Sequence, residues 1–350
     1  MSTIKVTNIQ NPSASSAAIT TAADGSATAN LSSLNGGPIA GTRNRIINGD
    51  MRIDQRNAGA SLSVANTGLY SVDRWRISNS VSTITAQQSS SIVPTDFGHS
   101  LGVTVSTTDS TGSHAVTQYI EGFNFSDLSW GNVNAKTVTL SFWVRSSLVG
   151  TYGVGFQNSA QNRSYVATYV VNAANTWEYK TITVAGDTTG TWIGATNGIG
   201  LSLEFDLGSA SSYNQTAGSW GTGSNARRTS GCVNWANTAS ATFYITGVQL
   251  EPGTVSTPFE RRSYGTELAL CQRYYEILEV LFSAAGVNIT TAFPKVAKRV
   301  APTLINTPAL GTGGAFSLVP GLTNAGNSGY YQSSNNSFSW GGTVTSSAEL

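Results

Sequence analysis

From Tyr70 to Leu250 the chain breaks into strand-length pieces at fairly regular spacing, and nothing between residues 67 and 250 has a helical period. Tyr70 to Ile77, Leu101 to Val105, Ala115 to Ile120, Thr137 to Arg145, Tyr152 to Phe156, Tyr165 to Val171, Trp177 to Val184 and Ile199 to Phe205 all fit. Gly, Asn and Ser fill the gaps, as turns require. With two further strands that open and close the region, this is the pattern of a jelly-roll β-sandwich. The alternation is clearest where Val138, Leu140, Phe142 and Val144 share one face. Trp143 then stands on the other, as a candidate for surface work.

The opening stretch, Arg43 to Arg56, reads as a short apolar strand, a turn at Asn48-Gly49, and an alternation with Met51 and Ile53 on one side. Its counterpart holds Phe243, Ile245, Val248 and Leu250, and the shift of alternation at Gly247 predicts a β-bulge. These first and last strands are expected to lie together. An Ile-Asn-Gly-Asp opening at Ile47, Tyr70 to Trp75, Gly247 to Gly253 and Glu267 to Tyr275 occur in this order, followed by Phe293-Pro294 and Arg299 to Thr303. In these segments, over roughly residues 44 to 305, the chain resembles tail-fibre and related virion proteins of tailed phages. The resemblance implies a middle domain similar to carbohydrate-binding jelly rolls. It also implies a homotrimer in the virion tail, assembled in the host cytoplasm.

Charged residues make up 11 % of the chain, while Ser and Thr are about a quarter, so hydroxyls and amides must keep it in water. A net charge of +1 supplies no field for a polyanion, and nucleic acid is not an expected partner. No segment has the apolar length of a bilayer crossing, so membrane insertion is not expected either. Two cysteines, Cys232 and Cys271, exclude a disulfide framework.

Residues 1–42 hold no aromatic residue and only Lys5 and Asp24 as charges. Such a segment cannot offset its own ordering entropy and needs partners. It reads as a virion anchor whose runs at Ile4 to Ile9 and Ala27 to Leu31 pair with other chains, or as a disordered leader. Residues 43–262 form the jelly-roll domain and 263–350 a helix with a small β-domain. The helix is read from Leu268, Cys271, Tyr275, Leu278 and Phe282 at three- and four-residue steps. Its stripe would serve a trimer interface or pack on its own sandwich. Short strands follow near Ala292, Pro302 to Ile305, Ala315 to Val319 and Ser337 to Trp340.

Chemistry is sparse. His99 and His114 lack a nucleophile elbow or an ordered base. Glu204 and Asp206 could form a glycosidase pair, but two residues apart on a strand they read as its polar outer face. No nucleotide or zinc spacing appears, and no cofactor or catalytic residue is expected. In similar jelly rolls a Ca²⁺ is held near the first strand and by an acid in the last. Asp50 matches the former, but Thr246-Gly247 stand where the acid would be. In Asp73-Arg74-Trp75, Trp75 shares a face with Ile77 and reads as core, with Arg74 paired to a carboxylate. Trp177 reads as core by the same logic. Sugar recognition needs flat aromatic faces rimmed by amides and hydroxyls. The polar loop from residue 208 to 240, carrying Tyr213, Trp220 and Trp235, is the foremost candidate, with Trp143 beside it. The expected function is attachment to the virion by the N-terminus and recognition of a host-surface glycan. The alternatives are a structural adaptor or decoration and, with least support, a polysaccharide depolymerase.

Overall fold

The computed structural model describes residues 6–9, 19–24, 26–29, 42–282, 290–292, 295–300, 302–307, 316–318, 330–332 and 340–350. In the N-terminal segment β1 (Asn8–Ile9), β2 (Ile19–Thr21) and β3 (Ala27–Ala29) form an antiparallel sheet in the order β1-β2-β3. Lys5 and Leu31, within the expected pairing runs, lie outside the described residues.

The sandwich comprises β4 (Leu62–Tyr70), β5 (Arg76–Ser89), β6 (Ser100–Thr107), β7 (His114–Glu121), β8 (Val138–Ser146), β9 (Gly150–Gln157), β10 (Ser164–Val171), β11 (Glu178–Val184), β12 (Ile199–Asp206), β13 (Trp220–Gly221) and β14 (Thr242–Pro252). One layer runs β11-β8-β14-β6-β5 and the other β5-β7-β12-β9-β10-β13. Strand β5 belongs to both. Its first half pairs β7 from Arg76↔Thr117 to Asn79↔His114, and its second half pairs β6 from Thr83↔Thr107 to Ser89↔Ser100. Between the halves Val81 takes φ 80°, which a β-branched residue adopts only under constraint. The Asn79 amide fastens this corner by donating to Val64 O at 2.8 Å and Ser82 O at 3.0 Å.

Between the layers the alternating residues close a single core. Phe142 of the first layer meets Phe205 and Tyr169 of the second, each with centroids 5.0 Å apart and edge to face. Trp75 is wholly buried, as expected, and lies 6.4 Å from Phe205. The strand expected from Tyr70 to Ile77 is broken by a turn: β4 ends at Tyr70, β5 begins at Arg76, Arg74 between them takes φ 70°, and Ser71 to Trp75 are all buried. The buried Arg74 pairs with Glu349.

The opening stretch lies beside the closing strand: Arg45 N donates to Leu250 O at 2.8 Å, and Val248 N to Gly49 O at 2.9 Å. It is not the expected strand. Asn48 and Met51 both take left-handed φ, 57° and 59°, and wind the backbone into a knot. The Asn48 side chain holds the knot through Ile53 N at 3.0 Å and Ile53 O at 2.8 Å. The bulge expected at Gly247 is present, where the β14/β8 register shifts between Thr246 and Gln249.

A second correction concerns the helix. The α-helix α1 spans Tyr264–Gln272, capped by Ser263, and the expected four-turn stripe ends there. Tyr275–Phe282 is instead strand β15. The three- and four-residue steps of Leu268, Cys271, Tyr275 and Leu278 give way from Tyr275 onward to pairing with the strand Trp340–Ser347, which runs along the whole of Tyr275–Phe282. The helix therefore offers no long seam to neighbouring copies. Among the described residues the C-terminal part also holds β16 (Thr290–Ala292), β17 (Thr303–Thr307), β18 (Phe316–Leu318), β19 (Tyr330–Gln332) and β20 (Trp340–Ser347), the last lying between β15 and β17. Phe293, Pro294 and Ser337 to Ser339 lie outside the described residues.

This part is clamped to the sandwich. Cys271 and Tyr274 join Ile47 and Ile53 in a small apolar cluster. Around it, the buried Glu121 accepts from Arg273 Nη2 at 2.6 Å and Tyr274 OH at 2.6 Å.

Candidate functional site

Strand alternation sends the side chains of each layer either into the core or outward, so the outer faces decide what the sandwich can touch. On the first layer Ile182 and Val184 of β11 point toward the core side, which turns Tyr179 outward. Its register partner across the ladder is Trp143 of β8. The two rings lie 5.4 Å apart with planes at 49°, Trp143 half-buried and Tyr179 44 % exposed. Phe97 reaches the same place from the loop before β6, and Phe259 from the segment after β14, 5.4 Å from Phe97 and edge-on.

Gly247 makes that convergence feasible. Its φ of 62° belongs to the left-handed bulge, and a Cβ there would stand 2.7 Å from the Phe97 ring and 3.2 Å from Trp143. Phe97, Ser141, Trp143, Tyr179, Phe259 and Arg261 line an open trough of about 750 Å³. The Arg261 guanidinium lies 4.8 Å from the Phe97 centroid. Farther across the same face Tyr244 lies over Gly102, where a Cβ would come 2.5 Å from the ring. It borders a recess of about 470 Å³ lined by Thr85, Gln87, His99 and Thr104. Aromatic rings at a surface, beside hydroxyls and amides, can cover the apolar side of a pyranose while neighbouring groups meet its hydroxyls.

Of the four residues expected to bind a glycan, Trp143 alone lines this trough. Trp235 is fully buried in the core and cannot offer its ring to a ligand. Trp220 is half-buried, packed 5.1 Å from Trp130 and 5.5 Å from Trp192, and its Nε1 donates to Ala185 O at 2.8 Å. Tyr213 lies under the Arg227 guanidinium at 4.0 Å. The loop that carries all three is folded onto the outer face of the second layer. There Gly153 and Gly155 leave no side chain, and a Cβ at either would strike the backbone of Ala226 or Arg227.

Under this loop Glu204 accepts from Arg227 Nη1 at 2.8 Å, while Asp206 lies 3.7 Å from both Arg227 and Arg228. The two carboxylates occupy the outer face of β12, as read, and each has a guanidinium partner. His114 is buried between Asn79 Oδ1 and Asp109 Oδ2, each at 2.9 Å.

Tyr179, Phe97, Phe259 and Tyr244 were not singled out from sequence, and Trp177 was assigned to the wrong side. Trp177, expected in the core, is half-buried on the outer face, its centroid 6.5 Å from Tyr244. The signal was in the same strand: Ile182 and Val184 choose the inner face, so Trp177 and Tyr179 must take the outer one. Phe97 and Phe259 arrive from loops and carry no periodic signal.

No family model matches the chain, and no curated protein matches it. Among solved structures it is similar to the enzymatically active domain of tailspike protein 4 of bacteriophage CBA120, at 14 % identity and a TM-score of 0.33 over 60 % of this chain and 21 % of that one. It thus spans about a fifth of that tailspike chain. It is also similar to the family 11 carbohydrate-binding module from Clostridium thermocellum in complex with a mixed-linked tetrasaccharide (13 % identity, TM-score 0.30, 56 % and 98 % covered). A third likeness is to the tripod from the baseplate of bacteriophage Tuc2009 (14 %, 0.27, 49 % and 52 %).

Proposed function

We propose that the chain is a subunit of a tailed-phage tail fibre or similar appendage and that the Trp143–Tyr179 trough holds a glycan of the host surface. The observation that carries the glycan reading is the set of four aromatic rings, from two strands and two loops, that line an open trough over a glycine bulge, Tyr179 exposed and the other three half-buried. A core would have buried them. The segment resemblance from the Ile-Asn-Gly-Asp opening to Arg299–Thr303 supports the appendage role, with residues 1–42 joining other tail proteins and the chain acting as a homotrimer. Three linked copies raise effective concentration, so a weak single site is enough to hold a particle.

The proposed activity is binding without turnover. A glycan microarray probed with the wild-type chain and with Trp143→Ala and Tyr179→Ala tests it. Signal on a defined glycan class that both variants lose supports the reading, and equal signal from all three overturns it. Release of reducing sugar from host polysaccharide would overturn the absence of turnover.

The purely structural alternative draws on a different observation: Trp235 is buried in the core and Trp220 packs against Trp130, so both rings serve the fold. On that reading no glycan binds the array, and particles carrying Trp143→Ala adsorb as wild type does.

A further inference from the structure

On the opposite side of the sandwich the folded-down loop covers β9 and β12 but stops short of β4, β5 and β7. A polar cavity of about 290 Å³ remains at its margin, lined by Arg76, Ser78, Ser113, Tyr119, Gln161 and Asn225 among others. Arg76 and Ser78 face outward because Ile77 between them is buried in the core. The Arg76 guanidinium lies flat against the backbone of Gly68 on β4, in the space any Cβ at that position would fill. Its Nη1 donates to Ser78 Oγ at 2.6 Å.

The charge balance of this face is uneven. Glu204 borders the cavity, but Arg227 Nη1 at 2.8 Å and Ser202 Oγ at 2.8 Å already occupy its two oxygens. Asp206 is flanked by Arg227 and Arg228. Arg76 has no carboxylate within 4.0 Å among the described residues. Of the charged groups that line the cavity, Arg227 and Glu204 pair with each other, which leaves Arg76 as the guanidinium in its wall without a carboxylate partner among the described residues. A guanidinium fork suits a carboxylate, which it can grip through two parallel hydrogen bonds. The remaining wall offers hydroxyls and amides, with the Tyr119 ring as its main flat apolar surface.

We propose that this cavity binds the carboxylate-bearing residue of an acidic glycan, a uronic acid, with Arg76 gripping the carboxylate and Ser78, Ser113, Gln161 and Asn225 meeting the ring hydroxyls. The volume suits one sugar unit. Gly68 is the positioning residue, since its missing side chain is what lets the guanidinium lie at the cavity wall. The inference goes beyond the aromatic trough and shares with it only the premise that glycans are the ligands.

Saturation-transfer NMR with sodium glucuronate as the probe tests it, with methyl glucoside as the neutral control and inorganic phosphate as competitor. Transfer to the glucuronate ring protons is expected in the wild type and in Trp143→Ala. It is expected to fall at least about fivefold in Arg76→Met and in Gly68→Val, which displaces a flexible side-chain end and leaves the core untouched. Methyl glucoside is expected to give no signal that depends on Arg76. Glucuronate transfer that survives Arg76→Met overturns the assignment. So does complete displacement by equimolar phosphate, which would make the cavity an anion hole without a sugar site. Because Trp143→Ala leaves this readout intact, a failure of the trough reading and a failure here are separate results.

Discussion

Burial pushes the Asp73 carboxyl up to about 6, with Arg56 at 3.5 Å and the Gln55 amide offsetting only part of the penalty. Between the ordinary carboxylate range and about pH 6 the folded chain therefore holds a proton that the unfolded chain has released. The contribution of this group to stability is highest at low pH and falls as pH rises through that window. Urea unfolding from pH 4 to pH 7 is expected to show a loss on the order of 2–3 kcal/mol from this residue in the wild type. Asp73→Asn, which cannot ionise, is expected to flatten that slope. An unchanged slope in the variant would place the titration elsewhere. Asp73 is thus an energetic cost of the knot around Asn48, whose amide also donates to Asp73 O at 2.9 Å.

At the level of elements, the loop from residue 208 to 240 behaves as a layer of structure. Its tightest crossing is at β9, where Gly153 lies directly beneath the Arg227 carbonyl. Gly153→Ala forces backbone to move, since no flexible side-chain end is there to yield. The expected outcome is a loop that lifts from β12, leaving Glu204 and Asp206 without their guanidinium partners, with new proteolytic cleavage between residues 211 and 233 and a stability loss of about 2–4 kcal/mol. Limited proteolysis reads this directly, and a cleavage pattern identical to wild type would contradict it.

The same elements show what sequence could and could not say. Alternation located β6 to β12 and β14, the bulge at Gly247 and the core position of Phe142, because period two is written in each strand alone. It set Trp143 outward for the same reason. Strand β4 and most of β5 were not read, and the stretch from Tyr70 to Ile77 turns between them. The burial of Trp235 and the packing of Trp220 on Trp130 and Trp192 were not legible, because rings scattered among Ser, Gly and Asn carry no period that assigns them a face. Phe97 and Phe259 could not be placed, since their meeting depends on two loops closing over one left-handed glycine. The α1 stripe misled because nine helical residues and the following strand happen to keep apolar side chains at compatible steps.

The whole molecule is held together by polar contacts across the boundary between sandwich and C-terminal part. Glu121 is 1 % exposed and accepts from Arg273 and Tyr274. Arg56 stacks 3.7 Å over the Tyr275 ring and pairs with Glu349 at 3.0 Å. Glu121→Ala leaves a phenol and a guanidinium facing an emptied site. It is expected to cost about 2–4 kcal/mol and to split one thermal transition into two as the C-terminal part loosens first. A single transition at the wild-type temperature would show that the apolar cluster of Ile47, Ile53, Cys271 and Tyr274 suffices. The C-terminal part braces the sandwich, while the outer face of the first layer carries the open trough.

That division rests on the trough around Trp143, and ¹⁹F NMR of the chain labelled with 5-fluorotryptophan addresses it most directly. The eight tryptophans give separate resonances, and loss of one in Trp143→Phe assigns the residue at the trough. On titration with the glycan that the array identifies, the Trp143 resonance is predicted to shift, while those of the buried Trp75 and Trp235 stay in place. A shift confined to Trp220, with Trp143 unmoved, would contradict the account and return recognition to the loop.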